Sequence, residues 1–421
     1  MNRSEYLVIG SSHAGLAAID AIRTVDQEGS VTLLSREDRA PYSPTILPHV
    51  MTGRIAPESA RIRDLADLES LKVTYLPGAE VADVETETQR VVLASGEKLE
   101  YGKLLLATGA VPTVPSIPGL DQVPFHVLRT LDDAVRLRAR MLTARKAVVL
   151  GAGLIGLHGA ECLTEGGCQV TVVEALPQIA PGYFDRDAAH RLEEIFIASG
   201  VRIVCGCRAS MVEKKGHEGI LVSLDPGGQL EADLLLVATG VQCNTGYLAG
   251  NEIHVGRGIQ VDSSMRTSAP KVWAAGDVAQ AQALLSEGSA VIPTVTNAME
   301  QGRIAGFDMA DDRGYRPYPG TMAANTSGFF GHRAFSVGLG ASEIEEDDLE
   351  VDRCELGSEQ GFLKLVFRDN RLVGATGIDA DVDPGILAEL IRRKVDLSGV
   401  RSDMAKEPRR TGRVLMSSLW G

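Results

Sequence analysis

The chain has 421 residues, more than the roughly 250 to 300 that one hydrophobic core holds, so about three domains are expected. A hydrophobic fraction of 44% is ordinary for a folded protein, and no apolar run reaches the roughly 18 to 20 residues that span a bilayer. A net charge of −14 argues against a nucleic-acid partner, whose phosphates call for clustered Lys and Arg.

Residues 1–5 run directly into a core strand, which leaves no room for a signal peptide and makes the cytoplasm the expected compartment. That strand, Tyr6-Leu7-Val8-Ile9, enters the turn Gly10-Ser11-Ser12-His13-Ala14-Gly15 and then an apolar helix over 16–22. A strand ending in a glycine turn that opens a helix aims backbone N–H groups and the positive end of the helix dipole at one point, where a pyrophosphate can sit. The pattern is G-x-S-x-x-G, one glycine short of the dinucleotide fingerprint; Ser12 is small enough for close approach and adds a hydroxyl donor. Taken alone, the turn equally fits an ordinary tight βα connection.

Val31-Thr32-Leu33-Leu34 reads as the second strand of this unit, with Ser35 where a ribose-binding carboxylate usually follows and Glu37 two residues on. Prolines at 41, 44 and 48 rule out a continuous helix over 40–49, which reads as a structured loop. Strands are expected over 72–75, 80–85 and 89–93, followed by a turn at Ser95-Gly96. A buried strand over 104–106 then ends in Ala107-Thr108-Gly109-Ala110.

A second unit follows. Ala147-Val148-Val149-Leu150 leads into Gly151-Ala152-Gly153-Leu154-Ile155-Gly156, a helix through Leu163 and the strand Val170-Thr171-Val172-Val173-Glu174. The full G-x-G-x-x-G stands between strand and helix, and Glu174, about 20 residues on, is placed to accept from a ribose diol. Glu174 would repel a phosphorylated ribose and no Arg immediately follows it, so NAD is favoured over NADP. The unit closes on a strand over 232–237 and Ala238-Thr239-Gly240, an echo of the Ala-Thr-Gly turn at 107–109. The six cysteines (Cys162, Cys168, Cys205, Cys207, Cys243, Cys354) form no C-x-x-C pair and no metal-ligand grouping, so no metal is expected. Most read as small buried hydrophobes, and Cys205 and Cys207 as alternate residues of one strand facing opposite ways.

Thr267-Ser268-Ala269-Pro270-Lys271-Val272-Trp273-Ala274-Ala275-Gly276-Asp277, with the two glycine loops and two Ala-Thr-Gly turns, resembles the flavin-dependent pyridine-nucleotide oxidoreductases over almost the whole chain. Leu128-Arg129-Thr130-Leu131-Asp132-Asp133-Ala134 and Asn297-Ala298-Met299-Glu300-Gln301-Gly302-Arg303 are similar to the ferredoxin and rubredoxin reductase branch. Gly-Ser-Ser-His-Ala-Gly, Pro-Tyr-Ser-Pro and the ending Leu415-Met416-Ser417-Ser418-Leu419-Trp420 look closest to NAD-reducing flavoprotein subunits of 2-oxoacid oxidoreductase complexes.

The resemblance implies an α/β fold of two Rossmann-like dinucleotide-binding domains, the NAD domain inserted in the FAD domain, plus a C-terminal α+β interface domain. The implied boundaries are 1–112 and 245–317 for FAD, 113–244 for NAD and 318–421 for the interface domain. FAD is then expected on Gly10, Ser12, His13, Ala14, Gly15, Ser35, Thr45, Val81, Ala107, Thr108, Gly109, Gly276 and Asp277, the last accepting from the ribityl chain. NAD(H) is expected on Gly151, Gly153, Leu154, Ile155, Gly156, Glu174, Thr239 and Gly240.

Departures from the family's pattern bear on mechanism. Disulfide reductases of the family place two cysteines after the first ribose strand, and single-cysteine relatives place one in the loop ending Leu-Pro, which here reads Thr45-Ile46-Leu47-Pro48. A threonine hydroxyl forms neither a mixed disulfide nor a charge-transfer thiolate, so electrons are expected to pass directly from the flavin. Where the branch commonly pairs a Lys with a Glu, His49 and His158 stand, which makes both catalytic candidates; the other reading packs one and exposes the other.

The remainder contains Gly328-Phe329-Phe330-Gly331-His332, strands over 361–368 and 371–378 and a helix over 384–394. An acidic run at 343–352 and a basic stretch at 392–413 read as surfaces and docking candidates. The resemblance implies an enzyme exchanging hydride with NAD(H) and single electrons with an iron–sulfur protein, or with subunits of a 2-oxoacid oxidoreductase complex. No cluster-ligating cysteine set occurs, which puts the iron–sulfur centre on another chain. A free-standing NADH-dependent ferredoxin or rubredoxin reductase and a non-enzymatic flavin redox sensor are the alternatives.

Overall fold

The computed structural model describes residues 3–216, 219–312, 314–339, 349–356 and 361–419. Backbone packing divides the chain into two compact units, Met1–Ile46 with Ala56–Val111 and Val241–Met322, and Leu47–Ile55 with Pro112–Gly240 and Ala323–Gly421.

The first unit is built on a parallel sheet in the order Val73–Leu76, Val31–Leu34, Arg3–Ile9, Lys98–Leu106, Val272–Ala274. Alternation along Arg3–Ile9 explains why both faces are covered. Tyr6 and Val8 enter a core with the helices His13–Val25 and Val295–Met309, while Leu7 and Ile9 enter a second core on the opposite face. The start of Lys98–Leu106 also pairs antiparallel with Arg90–Leu93, which continues into Val81–Glu85.

The second unit repeats this plan. Its parallel sheet runs Arg202–Cys205, Gln169–Glu174, Lys146–Leu150, Leu234–Val237, beside the antiparallel strands Arg208–Lys215, Gly219–Asp225 and Gln229–Ala232. A five-stranded antiparallel sheet follows, ordered Ala323–Phe329, His332–Gly338, Arg371–Ile378, Gly361–Arg368, Glu350–Leu356, with helices Pro384–Arg392, Arg401–Lys406 and Pro408–Leu419. Lys364 from this sheet is buried against Asp185, the cap of the helix Arg186–Ala198. An α/β fold with two Rossmann-type sheets is therefore present, and among the described residues no helix is long and apolar enough to cross a membrane.

Three local expectations need correction. The segment over 40–49 is not loop throughout, because Leu47–Thr52 is a short helix; Pro48 is tolerated in its first turn, where no intrahelical partner awaits the missing N–H. The strand over 232–237 is broken at Asp233, whose carboxylate accepts from Arg145 N and Lys146 N, both at 2.9 Å, so Gln229–Ala232 and Leu234–Val237 join different sheets. Cys205 ends one strand and Cys207 lies beyond a turn at Gly206, so the two do not share a strand.

Residues 343–348 of the acidic run lie outside the described residues. Its end, Glu350 and Asp352, sits on the sheet's edge strand and pairs with Arg401 of the basic stretch, at 2.8 Å and 2.9 Å to Asp352. The two candidate docking patches thus satisfy one another in part.

Candidate functional site

In the first unit the strand Arg3–Ile9 delivers Gly10 with φ of +114°, and a β-carbon there would lie 2.1 Å from Ala107 O. Only glycine fits. The glycine loop and the Ala107-Thr108-Gly109 turn are in this way pressed together at the ends of neighbouring strands, tied by Ala107 N donating to Ile9 O at 2.8 Å. The helix His13–Val25 begins at Ser12, whose extended backbone presents the first-turn amides and whose side chain does not cap them. Its hydroxyl turns instead toward Tyr42 O at 3.5 Å. These are the features of an anion-binding helix start.

At Thr108 of the Ala-Thr-Gly turn a cavity of about 220 Å³ is lined by Arg36, Glu80, Val81, Thr108, Asn244 and Tyr247, among others. Thr108 Oγ1 donates to Asn244 O at 2.9 Å and lies 3.0 Å from Tyr247 OH. Ser35 is buried beside Arg36 and holds the chain by accepting from Ala79 N at 2.8 Å. Glu37, the alternative ribose carboxylate, accepts from Tyr42 OH at 2.8 Å. His13 Nε2 is hydrogen-bonded to Ser43 Oγ at 2.8 Å, and that hydroxyl to Thr45 Oγ1 at 2.7 Å. Burial holds the His13 imidazole below its ordinary pKa, opposed by the charge of Asp277. Gly276 and Asp277 follow the strand Val272–Ala274, and Cys243 Sγ donates to Asp277 O at 3.2 Å. The expected flavin residues therefore all fall in one unit.

The second unit reproduces the geometry. Gly151 has φ of +100°, a β-carbon there would lie 2.4 Å from Ala238 O, and one at Gly153 would meet nothing within 4 Å, leaving that backbone open to close approach. Leu154 and Ile155 open the helix Leu154–Glu165, with Ile155 exposed. Glu174 is buried: one carboxylate oxygen accepts from Ala152 N at 2.7 Å and the other from Leu176 N at 2.9 Å. Besides ending its strand, it braces the glycine loop. Each carboxylate oxygen keeps a further lone pair for a ribose hydroxyl. Thr239 Oγ1 donates to Thr113 O at 2.7 Å and Thr113 N to Gly240 O at 2.9 Å, which pins the second Ala-Thr-Gly turn.

His49 and His158 fall in this same unit. His49 is exposed on Leu47–Thr52, a helix that packs on Leu154–Glu165, where Cys162 Sγ donates to Pro48 O at 3.6 Å. His158, one turn before Cys162, is half-buried with its ring 4.5 Å from that of Phe329 and its Nδ1 3.6 Å from Glu161 Oε2. Glu161 in turn accepts from Phe330 N at 2.6 Å.

Among the described residues five cysteines are free, and none is poised as a thiolate by its surroundings where a shift is resolved. Burial beside Glu161 and Glu165 pushes Cys162 up to about 12, and burial pushes Cys205 up to about 11 and raises Cys168 and Cys243. No group of three or more metal-ligating side chains occurs among the described residues.

Ser43, Asn244, Tyr247 and the buried Gln301 belong to these surroundings without having been singled out as site residues. Ser43 lies 30 residues from His13 in the chain, and nothing local in sequence marks such a pairing.

The family model for pyridine nucleotide-disulphide oxidoreductase matches residues 4–302. The NADH-dependent phenylglyoxylate dehydrogenase subunit epsilon of Aromatoleum evansii is 42% identical over 421 residues, covering 100% of this chain and 99% of that protein. The biphenyl dioxygenase system ferredoxin–NAD(+) reductase component of Paraburkholderia xenovorans is 29% identical, over 93% of this chain and 94% of that one. Among solved structures, an NAD-dependent persulfide reductase from A. fulgidus superposes with a TM-score of 0.87 at 25% identity, covering 98% of this chain and 83% of that one.

Proposed function

The chain belongs to the pyridine nucleotide-disulphide oxidoreductase family, and on that premise we propose that it passes electrons between NAD(H) and an iron–sulfur partner, reducing NAD with electrons that other subunits take from a 2-oxoacid such as phenylglyoxylate. It is an NAD(H)-dependent flavoprotein oxidoreductase that uses FAD. FAD, when bound, joins two-electron exchange with a nicotinamide to one-electron exchange with a cluster.

In this reading residues 1–112 and 245–317 form the FAD-binding domain, 113–244 the NAD-binding domain and 318–421 the interface domain. Gly10, Ser12 and the first turn of His13–Val25 hold the flavin pyrophosphate, Asp277 the ribityl chain, and Val81 and Thr108 the nucleotide end. Gly151, Gly153 and Glu174 hold the nicotinamide dinucleotide. His49 and His158, where relatives carry a charged pair, take up a proton when the flavin is reduced.

The observation that carries the proposal is Thr45. Its hydroxyl is hydrogen-bonded to that of Ser43; by the resemblance it stands where sulfur-using relatives carry a thiol, and a hydroxyl cannot relay electrons. Electrons leaving the flavin therefore go to another chain. Isolation of the native protein under anaerobic conditions tests this: copurification with iron–sulfur and thiamine-containing chains is the expected result. A second reading, a free-standing NADH-dependent ferredoxin reductase, is favoured by the likeness to the Paraburkholderia component and predicts purification alone. A flavin sensor without turnover would show no bleaching of the flavin by NADH.

A further inference from the structure

From the Gly276-Asp277 turn runs a chain of buried polar groups. Gly276 N donates to Gln301 Oε1 at 2.8 Å. A backbone N–H can only donate, so the Gln301 atom facing it is the oxygen, and its amide nitrogen faces Tyr318 OH at 3.3 Å. The Tyr318 proton then goes to Asn297 Oδ1 at 3.2 Å, and Asn297 Nδ2 donates to Ile292 O and Met322 O, both at 3.1 Å. Gln301 and Asn297 are each 3% exposed and Tyr318 is 4% exposed, so water does not substitute for any of these partners. The order of donors and acceptors is fixed in one direction, from the turn into the helix Val295–Met309.

The next residue on that helix makes a second connection. A β-carbon at Gly302 would lie 2.1 Å from Ala14 O, so the helix touches, backbone to backbone, the first turn of the helix that carries the glycine loop. Residues 301 and 302 thus set the Gly276-Asp277 turn and the glycine loop in register with each other.

We propose that Gln301 is a positioning residue for flavin binding, acting through Gly276 to fix where the Asp277 carboxylate stands. This rests on the reading that Asp277 holds the flavin. Gln301→Leu leaves Gly276 N without its acceptor and is expected to weaken FAD binding about 10-fold to 100-fold. Gln301→Glu supplies a sharper test. As a neutral acid its carbonyl accepts from Gly276 N and its O–H donates toward Tyr318, which reproduces the amide's pattern; once ionised it has no proton for Tyr318, and the repulsion between the two oxygens draws the carboxylate away from Gly276 N.

The experiment is titration of FAD into the apoprotein, read by flavin fluorescence, for wild type, Gln301→Leu, Gln301→Glu and Asp277→Ala across pH, alongside each apoprotein's thermal midpoint. Relative to wild type at the same pH, Gln301→Glu is expected to bind FAD nearly normally in acid and progressively worse as pH rises. Wild-type FAD affinity in Gln301→Leu with a lowered thermal midpoint, or a flat pH profile for Gln301→Glu, would reduce Gln301 to a packing residue. If Gln301→Leu does not fold, the Gln301→Glu profile decides alone. Unchanged FAD affinity in Asp277→Ala would instead overturn the underlying assignment of the flavin site, separately from any result at Gln301.

Discussion

Glu174→Gln isolates the work of one carboxylate in the second unit. Both its oxygens accept backbone protons, from Ala152 N at 2.7 Å and Leu176 N at 2.9 Å, and the residue is 8% exposed. Glutamine keeps one acceptor and turns an NH2 group toward the other amide, which leaves a buried donor unpaired at about 1 to 3 kcal/mol. The glycine loop relieves this by opening, and an open loop no longer presents its amides to a pyrophosphate. The expected loss of dinucleotide affinity is therefore about 5-fold to 150-fold. FAD affinity should change by less than about twofold, because the expected flavin residues belong to the other unit. Calorimetry with ADP-ribose, which binds without reducing the flavin, reads the first quantity, and flavin fluorescence reads the second. Glu174→Ala, which removes both acceptors, should go further in the same direction. Parallel loss of both ligands, or an unchanged ADP-ribose affinity, would refute the assignment of this loop.

The glycine pair gives a crossed check: Gly10→Ala should yield protein short of flavin, whereas Gly151→Ala should keep its flavin and bind ADP-ribose poorly, since each methyl meets a carbonyl oxygen, at 2.1 Å and 2.4 Å. A yellow Gly10→Ala protein would contradict this. The depressed pKa of half-buried His13 has a definite sign: below pH 6.5 the unfolded chain gains a proton that the folded chain resists, so this contribution is full above that pH and is lost as pH falls below it. The apoprotein's thermal midpoint should fall less on acidification in His13→Gln than in wild type, and equal slopes would remove the point. The proposed role of His49 and His158 requires the flavin potential to fall more steeply with pH than the flavin's own protons demand. His49→Gln or His158→Gln should flatten the extra slope, and superimposable curves would remove the proposed role of both.

Much of the fold was legible because its signals are local. The strand through Tyr6-Leu7-Val8-Ile9, the glycine loops and the strands Gly361–Arg368 and Arg371–Ile378 follow from apolar runs bounded by glycine or charge. Some of the failures were places where a distant partner decides, and others were local signals misjudged. Asp233 breaks an apolar run because two backbone amides 87 and 88 residues earlier claim its carboxylate. Pro48 looked like a helix breaker, yet it falls in a first turn. The antiparallel hairpin around Pro226-Gly227-Gly228 carried a turn signal that went unread. At the candidate site, residue types in the glycine loops were readable, whereas the Ser43 link between His13 and Thr45 and the Gln301 hold on Gly276 depend on packing across 30 and 25 residues.

Electron transfer without sulfur is the centre of the account, and one anaerobic reaction tests it. Flavin-loaded protein, with every accessible cysteine alkylated, is mixed with NAD and a chemically reduced low-potential ferredoxin, and NADH formation is followed by absorbance. NADH should form at close to the rate given by unmodified protein, because the proposal puts Thr45 where sulfur-using relatives carry a thiol, and Cys162 and Cys205 are held as thiols by burial. Loss of NADH formation on alkylation, in protein that keeps its flavin and its fold, would contradict direct transfer and put a cysteine in the electron path.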